Sequence, residues 1–146
     1  METSNIGLGL KGIAEAKSGN TPLGLRILTK TANSNQLPEV KAWYGYCLAR
    51  EKNKFVRGIS LCNEARQEDP GNSDICLALG RIYLLAGLRA SAVKVLKYGL
   101  SLEKNREISE LLKCVGIRKT PVLRFLNRNN KVNIALGSLF ARMDLR

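Results

Sequence analysis

The residue types that most often carry chemistry are sparse in this chain and poorly spaced for it. There is no histidine. A Ser/His or Cys/His pair, the commonest way to activate a nucleophile, therefore has no base. Four cysteines occur, Cys47, Cys62, Cys76 and Cys114, and none forms a C-x-x-C pair. Without histidine or that spacing, a metal site has no ligand set. Three of the four fall at apolar positions of a helical pattern and read as reduced core thiols. Glu64 and Glu68 share a helical face at i, i+4 and read as solvated charges. Gly7-Leu8-Gly9-Leu10-Lys11-Gly12 formally matches the G-x-G-x-x-G dinucleotide fingerprint. That mechanism needs a strand before the glycines and a helix after them, so that phosphate meets the helix N-terminus. Six residues precede the match, too few for a buried strand, and glycine also suits a close contact between helices. The expectation is a chain that is not an enzyme and uses no cofactor and no metal.

The elements that position side chains follow a longer spacing. Gly19, Asn53 and Gly87 stand 34 residues apart, and so do Gly24, Gly58 and Ala92. Leu28, Cys62 and Leu96 keep the same step, as do Thr31, Ala65 and Gly99. A period of about 34 residues is that of stacked helix–turn–helix units. Gly and Asn adopt the left-handed backbone that ends a helix, so the first set marks three corners. The second set is small and lets paired helices approach closely. Apolar spacing predicts helices over residues 5–18, 22–32, 39–52, 55–67, 74–86, 89–102 and 106–115. Residues 33–38 form a polar linker. Asp69-Pro70-Gly71-Asn72 is a turn in which Pro70 stops a helix and Gly71 relaxes the backbone. Asn72 or Ser73 caps the helix that follows. No segment alternates as a strand would.

These residues resemble the tetratricopeptide repeat (TPR) family. Leu79, Gly80, Tyr83, Ala92, Leu96 and Gly99 stand where that family places Leu, Gly, Tyr, Ala, an aromatic or apolar residue, and Ala. Gly87 fills its corner, and Cys76 replaces its usual Trp. The repeat over residues 39–70 matches less well, with Trp43, Gly45 and Leu48 one position out of phase, and the first repeat is degenerate. The resemblance implies an all-α, right-handed α-solenoid of about three hairpins (residues 5–36, 39–70 and 73–104), plus a helix at 106–115 that completes a domain over 1–115. It also implies that the first helix of each repeat lines a concave groove. In the second repeat that face includes Val40, Trp43, Tyr44, Cys47 and Arg50. In the third it includes Asp74, Leu77, Ala78, Arg81, Leu84 and Leu85. Trp43 and Tyr44 are either aromatic anchors for a partner or residues packed between helices. Arg50 and Arg81 beside them suit partner carboxylates. Family members that grip a C-terminal carboxylate use Lys, Asn and Arg at positions held here by Gly9, Ile13, Tyr44, Asp74 and Ala78, so that clamp is not expected.

The remaining signal is charge. The chain carries a formal +12. Residues 1–72 hold ten basic and seven acidic residues, a net of +3, whereas residues 73–146 hold fourteen and five, a net of +9. The excess at that end favours an acidic partner or surface. Residues 116–146 depart from the repeat and form a basic segment. Within it Val132, Leu136, Leu139, Phe140 and Met143 recur at three- and four-residue steps, an amphipathic helix. The favoured reading is a cap packed on the end of the solenoid. The alternatives are docking on an anionic membrane and nucleic-acid binding through Arg118, Lys119, Arg124, Arg128 and Lys131, with Phe125 among them. The absence of a secretory signal or of a membrane-length apolar run favours a cytoplasmic protein. The expected function is a small adaptor that holds a protein or peptide in its groove, with nucleic acid or anionic membrane as the runner-up partner.

Overall fold

A computed structural model describes residues 2–31 and 37–116 of the chain. Seven helices occupy them: α1 (Glu2–Lys17), α2 (Thr21–Thr31), α3 (Pro38–Lys52), α4 (Phe55–Glu68), α5 (Ser73–Leu85), α6 (Arg89–Leu102) and α7 (Arg106–Gly116). Among the described residues there is no strand. Contacts divide the chain into residues 1–115 and 116–146. The linker residues 33–36 and everything beyond Gly116, including the expected capping helix, lie outside the described residues.

The three corners share a left-handed residue. Gly19 has φ 95°, Asn53 φ 54° and Gly87 φ 75°. Each corner closes on a carbonyl of the helix it ends. Asn20 N–H donates to Glu15 at 2.9 Å and Leu88 N–H to Tyr83 at 2.8 Å, each five residues back, whereas Lys54 N–H reaches one residue further back, to Leu48 at 3.3 Å. These bonds satisfy carbonyls that a helix terminus otherwise leaves unpaired. The next helix starts in the same way each time. The carbonyls of Asn20, Lys54 and Leu88 accept from the N–H groups of Gly24, Gly58 and Ala92 at 2.9, 2.9 and 3.0 Å. The left-handed corner residue and the first bond of the next helix thus recur at each 34-residue step, while the closing bond does so only in the outer two corners.

Tight turns make antiparallel hairpins, and the small residues let them close. α1 packs on α2, α3 on α4 and α5 on α6, and neighbouring hairpins join through α2–α3, α3–α5 and α4–α5. A Cβ on Gly24 would lie 3.1 Å from the Ala16 backbone nitrogen, and one on Gly58 only 2.6 Å from the Gly45 carbonyl oxygen. Gly12 and Gly80, two periods apart, each receive a leucine, Leu28 and Leu96 respectively. In the middle hairpin that position is Tyr46, which is buried, and the close approach moves to Gly45 against Gly58. This is the physical content of the one-residue phase shift: the close-contact glycine lies one position earlier, and Trp43 fills the position equivalent to Leu77 rather than to Cys76, all three fully buried.

Helix caps sit where turn chemistry predicts them. The Asn72 side chain accepts from Asp74 N–H at 3.0 Å and donates to Glu39 at 2.6 Å. Asn105 repeats the device, accepting from Ile108 N–H at 3.1 Å and donating to Ser73 at 2.9 Å. Each Asn thus caps its own helix and ties it to the preceding repeat. α1 begins at Glu2 rather than at residue 5. The core runs through the hairpins, with Leu28, Trp43, Ile75, Leu79, Ile82, Leu96 and Ile108 all fully buried.

Candidate functional site

The first helices of the hairpins, together with α7, send side chains to one cluster. Trp43 of α3 lies at its centre with no exposed surface. Its indole N–H donates to Asp74 Oδ2 of α5 at 3.0 Å, which satisfies a donor that burial would otherwise strand. Tyr46 meets Trp43 edge-on, with centroids 5.5 Å apart and planes at 83°. Two cations lie over the Trp43 ring, Lys17 Nζ of α1 at 5.4 Å and the Arg81 guanidinium of α5 at 5.2 Å. Arg81 also lies 5.8 Å from the Tyr46 ring. The negative face of an indole attracts both.

Two carboxylates hold these cations in place. Lys17 Nζ is 2.7 Å from Asp74 Oδ1 and 3.5 Å from Glu107 Oε1. Arg81 is 3.3 Å from Glu107 Oε2. The cluster therefore links α1, α3, α5 and α7 and carries two positive and two negative charges. Asp74 is the more enclosed acid, with its side chain 20% exposed against 42% for Glu107.

This placement corrects part of the groove expected from sequence. Trp43 and Leu77 have no exposed surface and Val40 almost none, so these three form the core beneath the face and offer a partner no contact area. Cys47 and Ala78 are buried with them. Tyr44, Asp74, Arg81 and Leu84 are half-buried, and Arg50 is exposed. Leu85 is 39% exposed. Arg81 is engaged by Glu107 within the chain. Lys17, Tyr46 and Glu107 were not legible as site residues. Their partners lie in other repeats, and no local motif links them. The basic-segment residues Arg118, Lys119, Arg124, Arg128 and Lys131 lie outside the described residues.

The thiols do not assemble a reactive centre. All four cysteines are free, and only Cys114 is exposed. Burial, helped by the negative charge of Glu51, pushes the Cys47 thiol up to about 12. Burial also raises Cys62 and Cys76, which keeps these groups protonated and poorly nucleophilic. The glycines of the dinucleotide-like match lie inside α1, where Gly9 packs against Val40 and Gly12 against Leu28. They do not form a loop, so no phosphate cradle exists there. Among the described residues no group of three or more Cys, Asp or Glu is arranged to hold a metal. No helix among them is long and apolar enough to cross a membrane.

Basic side chains are distributed unevenly between helices. α2 carries Arg26 and Lys30, and α6 carries Arg89, Lys94 and Lys97, and neither helix has an acid. α1, α3, α5 and α7 each carry both acids and bases, and the cluster around Trp43 pairs its two cations with two carboxylates.

Residues 49–113 match a family model described as tetratricopeptide repeat. No curated protein matches the chain. The matched span runs from the end of α3 to α7 and contains the Asn53 and Gly87 corners, the Asn72 cap and the Gly58 contact. Repeats of this family generally mediate protein–protein contact and are typically non-catalytic. With six helices in three corner-closed hairpins at a 34-residue step and α7 after them, the described residues form an all-α helical-repeat fold, and residues 49–113 of it are similar to the tetratricopeptide repeat.

Proposed function

We propose that the protein is a non-catalytic adaptor that binds a segment of a partner protein on the face shared by α1, α3, α5 and α7. The observation that carries this reading is the convergence of Lys17, Trp43, Asp74, Arg81 and Glu107, from four helices, beside half-exposed Tyr44 and Leu84. The buried indole makes the floor rigid. The partly exposed Tyr44, Leu84 and Leu85 supply apolar contact, and Arg50 supplies an exposed charge at the edge. A peptide docking there would gain its affinity from a few such anchors on a preorganised surface.

The test is affinity capture from the native cell extract on immobilised full-length protein, with nuclease treatment, comparing wild type with Tyr44→Ala and Leu84→Asp. The expected result is a set of proteins held by wild type and lost from both variants. That capture should resist nuclease and weaken no more than about severalfold between about 50 and about 200 mM salt, as one or two screened ion pairs would, whereas phosphate-driven binding would fall by orders of magnitude over that range. The reading fails if both variants retain every partner while charge reversal at Arg118 and Lys119 abolishes capture.

A further inference from the structure

We infer that Glu107 occupies the place of a partner's carboxylate, so that the chain closes its own binding face and opens it to acidic segments. This rests on the proposed groove reading and names the chemistry of the occupant. Lys17 and Arg81 come from the first and third repeats, and both lie over the same indole. One carboxylate bridges them, at 3.5 and 3.3 Å. Those contacts are longer than the 2.7 Å pair that Lys17 makes with Asp74. They are also longer than the roughly 2.7–2.9 Å of a well-formed charge-assisted bond.

The two acids therefore have different roles. Asp74 accepts from the buried Trp43 N–H and is capped into the first turn of α5 by Asn72, so it is fixed. Among the described residues the Glu107 carboxylate makes the two long contacts alone, and its side chain is 42% exposed. If it swings into solvent, Lys17 and Arg81 are left with one fixed carboxylate between them, and the face gains a positive charge over an aromatic floor. An incoming carboxylate restores neutrality. The exchange replaces one partly solvated ion pair by another, so the internal acid costs an external one little more than a surface pair is worth.

The single tryptophan of the chain reports on this event directly. The experiment titrates full-length protein with acetyl-tetraglutamate amide and follows Trp43 emission. Tetraglutamine amide, tetraglutamine with a free C-terminus, and tetralysine amide serve as the other probes. Tetraglutamate should bind saturably. Glu107→Gln, or Glu107→Ala should that variant fold better, should bind it about fivefold tighter, the factor that corresponds to loss of one surface pair. Arg81→Gln should weaken binding about tenfold or more, as loss of a charged hydrogen-bond partner does. Binding of the free-acid tetraglutamine but not its amide would assign the site to a chain terminus rather than to acidic side chains, and it supports the inference if it too tightens in Glu107→Gln. Equal or weaker binding to Glu107→Gln overturns the inference. Equal binding of tetraglutamine amide, or no response to any probe, also overturns it while leaving the groove reading to stand or fall on capture by the Tyr44 and Leu84 variants.

Discussion

Adding one methyl group at Gly58 should destabilise the protein, although alanine is the better helix former. Gly58 lies in α4, where exchange for alanine normally stabilises by about 0.5–1 kcal/mol. Its new Cβ would stand 2.6 Å from the Gly45 carbonyl oxygen and 3.3 Å from the Ala49 Cβ. The obstacle at 2.6 Å is backbone inside α3, so it cannot rotate aside, and the two helices must separate by a few tenths of an ångström or more. Overpacking of this kind costs about 1–3 kcal/mol. The difference leaves Gly58→Ala less stable by up to about 2.5 kcal/mol, with a mid-range value of about 1 kcal/mol. Gly7 supplies the control, because it is also helical but a Cβ there meets nothing within 4 Å. Gly7→Ala should gain up to about 1 kcal/mol. Urea unfolding followed by far-ultraviolet circular dichroism measures both on one scale. If Gly58→Ala matches or exceeds wild type, the close approach of α3 and α4 is not the reason for glycine at this step of the repeat.

Asn53 is the corner with a side chain, at φ 54°. Asn53→Val should cost about 1–2 kcal/mol because a branched residue is strained there, whereas Asn53→Gly should unfold at or above the wild-type urea midpoint. Asp74→Ala should destabilise by about 1–3 kcal/mol, since it strands the buried Trp43 N–H. Asp74→Asn keeps an acceptor and should lose less, with the shift in Trp43 emission distinguishing the two. A thiol reagent at neutral pH should label Cys114 rapidly and the three buried cysteines only after denaturation. Cys47 rises from an ordinary 9.0 to about 12 on folding, so its contribution is complete below pH 9 and is lost as pH climbs toward 12. Between those values the unfolded chain binds fewer protons, and stability should fall with a slope of up to about 1.4 kcal/mol per pH unit for that thiol. Cys47→Ala should make the fall shallower, and an unchanged slope would refute the assignment.

Much of the fold was legible because it is written in local chemistry. Gly19, Asn53 and Gly87 announce corners through backbone conformation alone, and Pro70 with Asn72 announces a stop and a cap. Gly24, Gly58 and Ala92 announce close packing through the absence of bulk. Each signal acts within a few residues of itself, so its spacing survives in the sequence. The repeat therefore gave the order and nearly the bounds of all seven helices, and with them an all-α solenoid.

The site followed a different rule. Periodicity identifies which helices share a face, but not which side chains on that face reach solvent. Trp43 and Leu77 occupy equivalent positions and are both sealed beneath the surface, while the neighbouring Tyr44 stays half-exposed. Successive residues of a helix point about 100° apart, so neighbours on α3 meet opposite fates. Lys17 and Glu107 lie at opposite ends of the repeat array in sequence, and only the stacking of four helices brings them to 3.5 Å. The sequence by itself thus determined the hairpins, their number and their joints, because those depend on local backbone preferences. The tertiary structure alone decided that the Trp43 indole is sealed rather than exposed, and that the cations above it are already paired, because burial and long-range charge pairing depend on how whole helices stack.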